Sequence, residues 1–187
     1  MEPTTQDPRW RRLAAAAAVL LLAASSVVAA GTSASAEDDD LILCTGSVTV
    51  DYSPALGPLP KLTTQTVTEE LGTDGGGSCT GPFSGGTAVT TFQQQVGCLL
   101  QGLGDTLVEN VVTYHWPGGQ SSTITYAVTT VAHAVGQLVV TSTGTVTAGY
   151  GAGALSERIA IYPDLDVLSC LTSHVDQQTG TITVAVI

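Results

Sequence analysis

Residues 106–147 read TLVENVVTYHWPGGQSSTITYAVTTVAHAVGQLVVTSTGTVT. Apolar and polar side chains alternate through three segments, and alternation with a period of two marks half-buried strands. Pro117 fixes its own φ, and Gly118 and Gly119 are free to take positive φ, so Pro117–Gly119 is a turn. Ala134-Val135-Gly136 supplies a second turn. The segments 106–116, 121–133 and 137–147 are therefore expected to form an antiparallel meander. Pairing across the first turn places His115 opposite Ser122. Ile124, Tyr126 and Val128 share the face assigned to the core, and Thr123, Thr125 and Thr129 share the other.

The same pattern continues outward along the chain. Strands are expected at 43–53, 61–70, 87–97, 154–162 and 180–187, with a short further piece at 165–171. Thr and Val, both strand formers, recur throughout. The sequence predicts an all-β fold, an antiparallel sandwich or barrel of about eight to nine strands. The loops with most freedom are 72–86 and 148–153. The first is rich in glycine, but it lacks the following helix and lysine that a phosphate cradle requires. Strand 180–187 is apolar and uncharged, and at a sheet edge it would be able to pair with another chain.

The first 36 residues have a different composition. Arg9, Arg11 and Arg12 precede an apolar run from Leu13 to Ala24, and small residues lead to Ala34-Ser35-Ala36. A basic start, a short apolar centre and an A-x-A exit predict a secretory signal peptide over 1–36, with a second cleavage point after Ala30. Residues 37–43 are expected to be an acidic, flexible N-terminus and residues 44–187 a single all-β domain. Glu37-Asp38-Asp39-Asp40 separates Cys44 from the apolar run, which argues against a lipid anchor. Cys44, Cys79, Cys98 and Cys170 are an even set in a chain bound for an oxidising compartment, which predicts two disulfides. Four cysteines allow three pairings. The shared contexts Cys-Thr-Gly at 44 and 79, and Cys-Leu at 98 and 170, favour Cys44–Cys79 and Cys98–Cys170. No C-x-x-C spacing suggests zinc, and no cofactor is expected.

Beyond residue 36 the chain carries fourteen acidic residues and two bases, Lys61 and Arg158, a net charge near −12. Such a surface repels nucleic acid and anionic membranes. Neither is expected as a partner once the leader is removed.

From Cys44 onward the chain resembles a group of small secreted actinobacterial proteins of unknown function. The resemblance is carried by C-T-G-x-x-x-V-x-Y-S-P-x-L (Cys44 to Leu56), by the hairpin YHWPGGQSSTITY, by the late G-T-V-T-x-G (Gly144 to Gly149) and by a final C-L segment before an apolar last strand. It covers about residues 44–187. It implies secretion, an all-β fold and paired cysteines, and it brings no activity or catalytic residue. The Trp116-Pro117-Gly118-Gly119 turn departs from the polar residue that the group often places before the glycine.

Neither G-x-S-x-G nor H-E-x-x-H occurs, and the spacing of His115 and His133 keeps them apart on an extended hairpin. An enzyme is not expected. Tyr114 and Trp116 share a strand face beside His115, Gly118 and Gly119. If that face points outward, these five residues form a patch for a ligand or partner. If it points inward, the two rings plug the end of the core. The expected role is a secreted, non-catalytic binding or interaction module with an extracellular ligand or partner. The alternatives are a structural component of the cell envelope, a small hydrolase or an enzyme inhibitor.

Overall fold

Wherever Thr, Val and Ile recur with a period of two, the backbone is extended. The computed structural model describes residues 41–98, 110–172 and 174–187. The leader and acidic stretch expected within 1–40, and residues 106–109 of one expected strand, lie outside the described residues. The strands are β1 (Ile42–Leu56), β2 (Lys61–Gly72), β3 (Cys79–Thr80), β4 (Gly85–Val96), β5 (Asn110–Trp116), β6 (Gln120–Ala134), β7 (Gln137–Gly149), β8 (Leu155–Pro163) and β9 (Val175–Val186). A 3-10 turn spans Thr73–Gly75, and among the described residues one helix, α1, spans Val167–Thr172.

The long strands pair antiparallel in chain order, and the last returns to the first. Ile42 lies opposite Val186 and Asp51 opposite Gln177, while Gly46 lies opposite Leu71 and Ser53 opposite Thr64. The result is a closed, eight-stranded, up-and-down barrel with β3 as an extra strand beside the start of β1. Closure decides between the sandwich and the barrel. It also removes the edge considered for the last strand, because β9 is paired with β8 on one side and β1 on the other. The disulfides are Cys44–Cys79, which joins directly opposed residues of β1 and β3, and Cys98–Cys170.

Three local expectations are corrected. Trp116 pairs with Gln120, so His115 lies opposite Ser121 and not Ser122. The β6–β7 ladder shifts register between Tyr126 and Val128. A bulge inserts one residue and flips every later side chain to the other face. Ile124 and Tyr126 therefore point inward as expected, but Val128 is 49% exposed, and Thr129 turns to hydrogen-bond the buried Ser142. Finally, the segment 165–171 contains helix α1 in place of a strand. The Asp166 side chain accepts from the Leu168 amide, and its carbonyl accepts from the Cys170 amide. An aspartate at this position competes well for the first free amides of a helix.

The barrel interior mixes apolar rings with polar groups. Ile42, Val48, Leu71, Val112, Ile124, Ile182 and Val184 are almost fully buried. Among them lies an ion pair between Glu69 of β2 and Arg158 of β8, with the arginine Nε donating to Oε1 at 2.8 Å and Nη2 also bound there. The other carboxylate oxygen accepts from the Tyr114 hydroxyl at 2.7 Å. Tyr126 and Ser156 hydrogen-bond nearby at 3.2 Å, and Ser156 donates to the Ala185 carbonyl. Among the described residues, no buried side-chain nitrogen or oxygen lacks a hydrogen bond. Eight strands enclose about the width that side chains can fill, and this barrel fills it with its own. The outer wall is largely hydroxyl-bearing: Thr49 is flanked by Thr68 and Thr179 on neighbouring strands.

Candidate functional site

The β5–β6 turn, the β7–β8 turn and the segment between β2 and β4 meet at one end of the barrel. Tyr114 and Trp116 are inward-facing positions of β5, 0% and 3% exposed. The patch that their outward orientation would have made is thus replaced by a buried stack. Trp116 lies parallel to Phe83 at 5.1 Å between ring centroids, and Tyr114 stacks on the indole at 5.5 Å. Tyr150 meets Phe83 edge to face at 4.9 Å. The indole Nε1 donates to Ser122 Oγ at 2.8 Å, and Ser122 donates to the Tyr150 carbonyl at 2.7 Å. Parallel and edge-on pairs of this kind add to what burial alone contributes. Both indole faces are occupied by protein, so Trp116 is not available for a ligand to stack on.

Trp116, held in this stack, also lines an open groove. The groove has a volume of about 350 Å³ and is lined by Leu71, Thr73, Asp74 and Ser84 through Thr87 on one side, and by His115, Trp116 and Pro117 on the other. Thr87 and His115 face each other across the β4–β5 seam. Gly86 carries no side chain because a Cβ there would sit 2.5 Å from Trp116 Cε3. Asp74 lies in the 3-10 turn, which ends at Gly76 in a left-handed conformation. The groove therefore presents two ionisable groups, three hydroxyls and glycine backbone above a rigid aromatic base. Of the five residues expected in a patch, His115 is exposed and lines this groove, whereas Gly118 and Gly119 form the turn beyond it with φ of 84° and 79°. Thr73, Asp74, Ser84 and Thr87 were not identified from sequence. Thr73, Asp74 and Ser84 had no signal beyond membership of the glycine-rich stretch 72–86, and Thr87 none beyond opening the expected strand 87–97.

Beneath the stack, burial shifts the tyrosines. Tyr114 is raised well above the usual value by burial and by the adjacent Glu69 carboxylate. Tyr162 is pushed up to about 12, again by burial, with Arg158 opposing the shift. Burial acts to lower the Arg158 pKa, but the charge of Glu69, together with Tyr114, Tyr162 and the hydrogen bonds to Glu69, outweighs it and the guanidinium is held protonated. These groups are fixed in their charge states at neutral pH and act as a scaffold. Among the described residues, no three histidines, cysteines or acids gather as a metal site. His133 instead lies at the opposite end of the barrel, 3.4 Å from Asp164.

No family model, curated protein or solved structure matches this chain.

Proposed function

We propose that the protein is a secreted, non-catalytic binding protein that meets a small polar ligand in the groove between the Thr73–Thr87 segment and His115. The observation that carries this reading is the contrast between interior and end. The interior is filled by side chains whose polar groups already satisfy one another. The groove is open, and several hydroxyls, a carboxylate and an imidazole converge on it. Ligand sites commonly combine a concave, rigid base with a few convergent polar groups. The two disulfides are consistent with an extracellular or oxidising environment.

A thermal-shift screen of sugars, polyols, amines and amino acids tests this, with His115→Ala and Asp74→Ala as controls. A binder should raise the melting temperature of the native protein and lose that effect in both variants. The competing role, a structural component of the envelope, is favoured by the filled barrel and its two staples. It predicts that no compound in the screen shifts the melting temperature.

A further inference from the structure

On the outer wall at the same end of the barrel, four large aliphatic side chains face solvent side by side. Leu41 is 45% exposed, Leu43 41%, Leu155 60% and Ile187 66%. The register makes them neighbours. Leu155 and Ile187 exchange both backbone hydrogen bonds at 2.9 Å. Ile42 lies opposite Val186, so Leu41 lies across from Ile187 on the far side of β9. Leu43 is two residues along from Leu41 and shares its face, opposite Ala185. Cross-strand side chains at such positions lie about 4.5–5.5 Å apart. Leu155, Ile187 and Leu41 thus make one apolar row over three strands, with Ala185 and Leu43 in the next row.

The backbone beneath this patch is held firmly. Cys44 is bonded to Cys79 of β3, and the Thr80 hydroxyl donates to the Leu43 carbonyl. Gly81 passes so close that a Cβ there would lie within 2.2 Å of the Leu41 carbonyl oxygen. A preformed surface of this kind loses little freedom on binding.

The charge around it has one sign. Glu157, exposed, lies opposite Ala185 and borders the second row. Asp40 is joined directly to Leu41 and ends the run Glu37–Asp40. Of the two bases beyond residue 36, Arg158 is buried against Glu69, and Lys61 starts β2 at the opposite end of the barrel. An apolar centre with an acidic border is complementary to a partner with aliphatic side chains and lysine or arginine around them. A second copy is a poor fit, because a two-fold contact would bring the acidic borders together with no cation between them.

We propose that the surface formed by Leu41, Leu43, Leu155, Ala185 and Ile187 docks a cationic, amphipathic polypeptide segment. The segment lays its apolar face across β1, β9 and β8, and a basic side chain reaches Glu157. This surface is separate from the groove, and its occupation does not depend on the groove having a ligand.

The test uses the protein collected after export and a fluorescently labelled synthetic peptide of alternating leucine and lysine, followed by anisotropy. The peptide should bind, and binding should weaken as salt is added. A peptide with serine in place of leucine, equal in charge, should bind at least about tenfold more weakly, as should the Leu155→Ser/Ile187→Ser variant. Glu157→Gln, an exposed substitution, should weaken binding and reduce its salt dependence. Near-ultraviolet circular dichroism confirms that each variant is folded, and the serine peptide decides the matter if the double variant is not. Equal binding of the serine and leucine peptides would overturn the proposal, since charge alone would then explain it. So would full binding by a folded double variant, or a protein mass that doubles with concentration because a second copy covers the patch.

Discussion

Replacing Arg158 by methionine removes one partner of the buried ion pair and leaves the rest of the barrel in place. The side chains of Glu69 and Arg158 are 2% and 8% exposed, so water cannot take over. The substitution strips Glu69 Oε1 of two donors and leaves only the Tyr114 hydroxyl on the other oxygen. An unneutralised buried charge of this kind costs about 3–5 kcal/mol. A domain of this size has roughly 5–15 kcal/mol in total, so the loss is a large share of it. The double variant Glu69→Leu/Arg158→Met removes both charges and takes a partner from the hydroxyls of Tyr114 and Tyr162, each costing about 1–3 kcal/mol, and the Tyr162 loss is shared by the single variant. It should therefore be more stable than Arg158→Met alone. Urea unfolding with both disulfides oxidised measures each value by linear extrapolation. A loss below about 1 kcal/mol for Arg158→Met, or strictly additive effects in the double variant, would refute the role given to this pair.

Other expected outcomes follow from the same geometry. Gly86→Ala should cost about 1–3 kcal/mol by forcing the Trp116 ring aside and should change the near-ultraviolet circular dichroism of the indole. Gly118→Ala meets no atom within 4 Å but keeps a φ of 84°, so its cost should be about 1–2 kcal/mol from backbone strain, with the indole signal unchanged. Removing Cys98–Cys170, whose sequence separation is 72 against 35 for Cys44–Cys79, should be the more destabilising of the two disulfide removals, each about 2–4 kcal/mol in urea unfolding. Tyr162, pushed up to about 12 from 10.0, keeps its full contribution to stability below about pH 10 and loses it as the pH rises through about 12. Its tyrosinate absorbance should accordingly appear together with alkaline unfolding, and titration of every tyrosine near 10 in the folded protein would contradict its burial.

Strand positions were legible in the sequence because alternation and turn residues act locally. The meander 110–149, the period of β1 and β9, and the two cysteine pairs all follow from short-range pattern. Three features depend on contacts the pattern does not carry. Closure into a barrel requires β1 to meet β9, strands more than a hundred residues apart. The bulge after Tyr126 depends on how β6 fits β7, and it reverses Val128 and Thr129. Strand β8 carries Leu155, Ile159 and Ile161 on one face and Ser156, Arg158 and Tyr162 on the other. A hydrophobicity argument turns the aliphatic face inward, but the structure turns it outward, because Glu69 on β2 supplies the partner that Arg158 requires. Helix α1 was missed although Asp166 before an apolar run is a start signal. The groove was legible only in part. His115 was singled out beside Trp116, yet strand parity alone does not say which face of β5 is the core. On the opposing wall, Thr73, Asp74 and Ser84 come from a segment that showed only flexibility, and Thr87 from the start of an expected strand.

The most direct test of the binding role is backbone amide shift mapping by heteronuclear nuclear magnetic resonance, with the exported protein titrated by the best compound from the thermal screen. The perturbed amides should cluster at 71–74, 84–87 and 115–116, and those around Glu69 and Arg158 should stay in place. Perturbations centred on the barrel interior, or none with any compound, would contradict the assignment of this groove as a binding site.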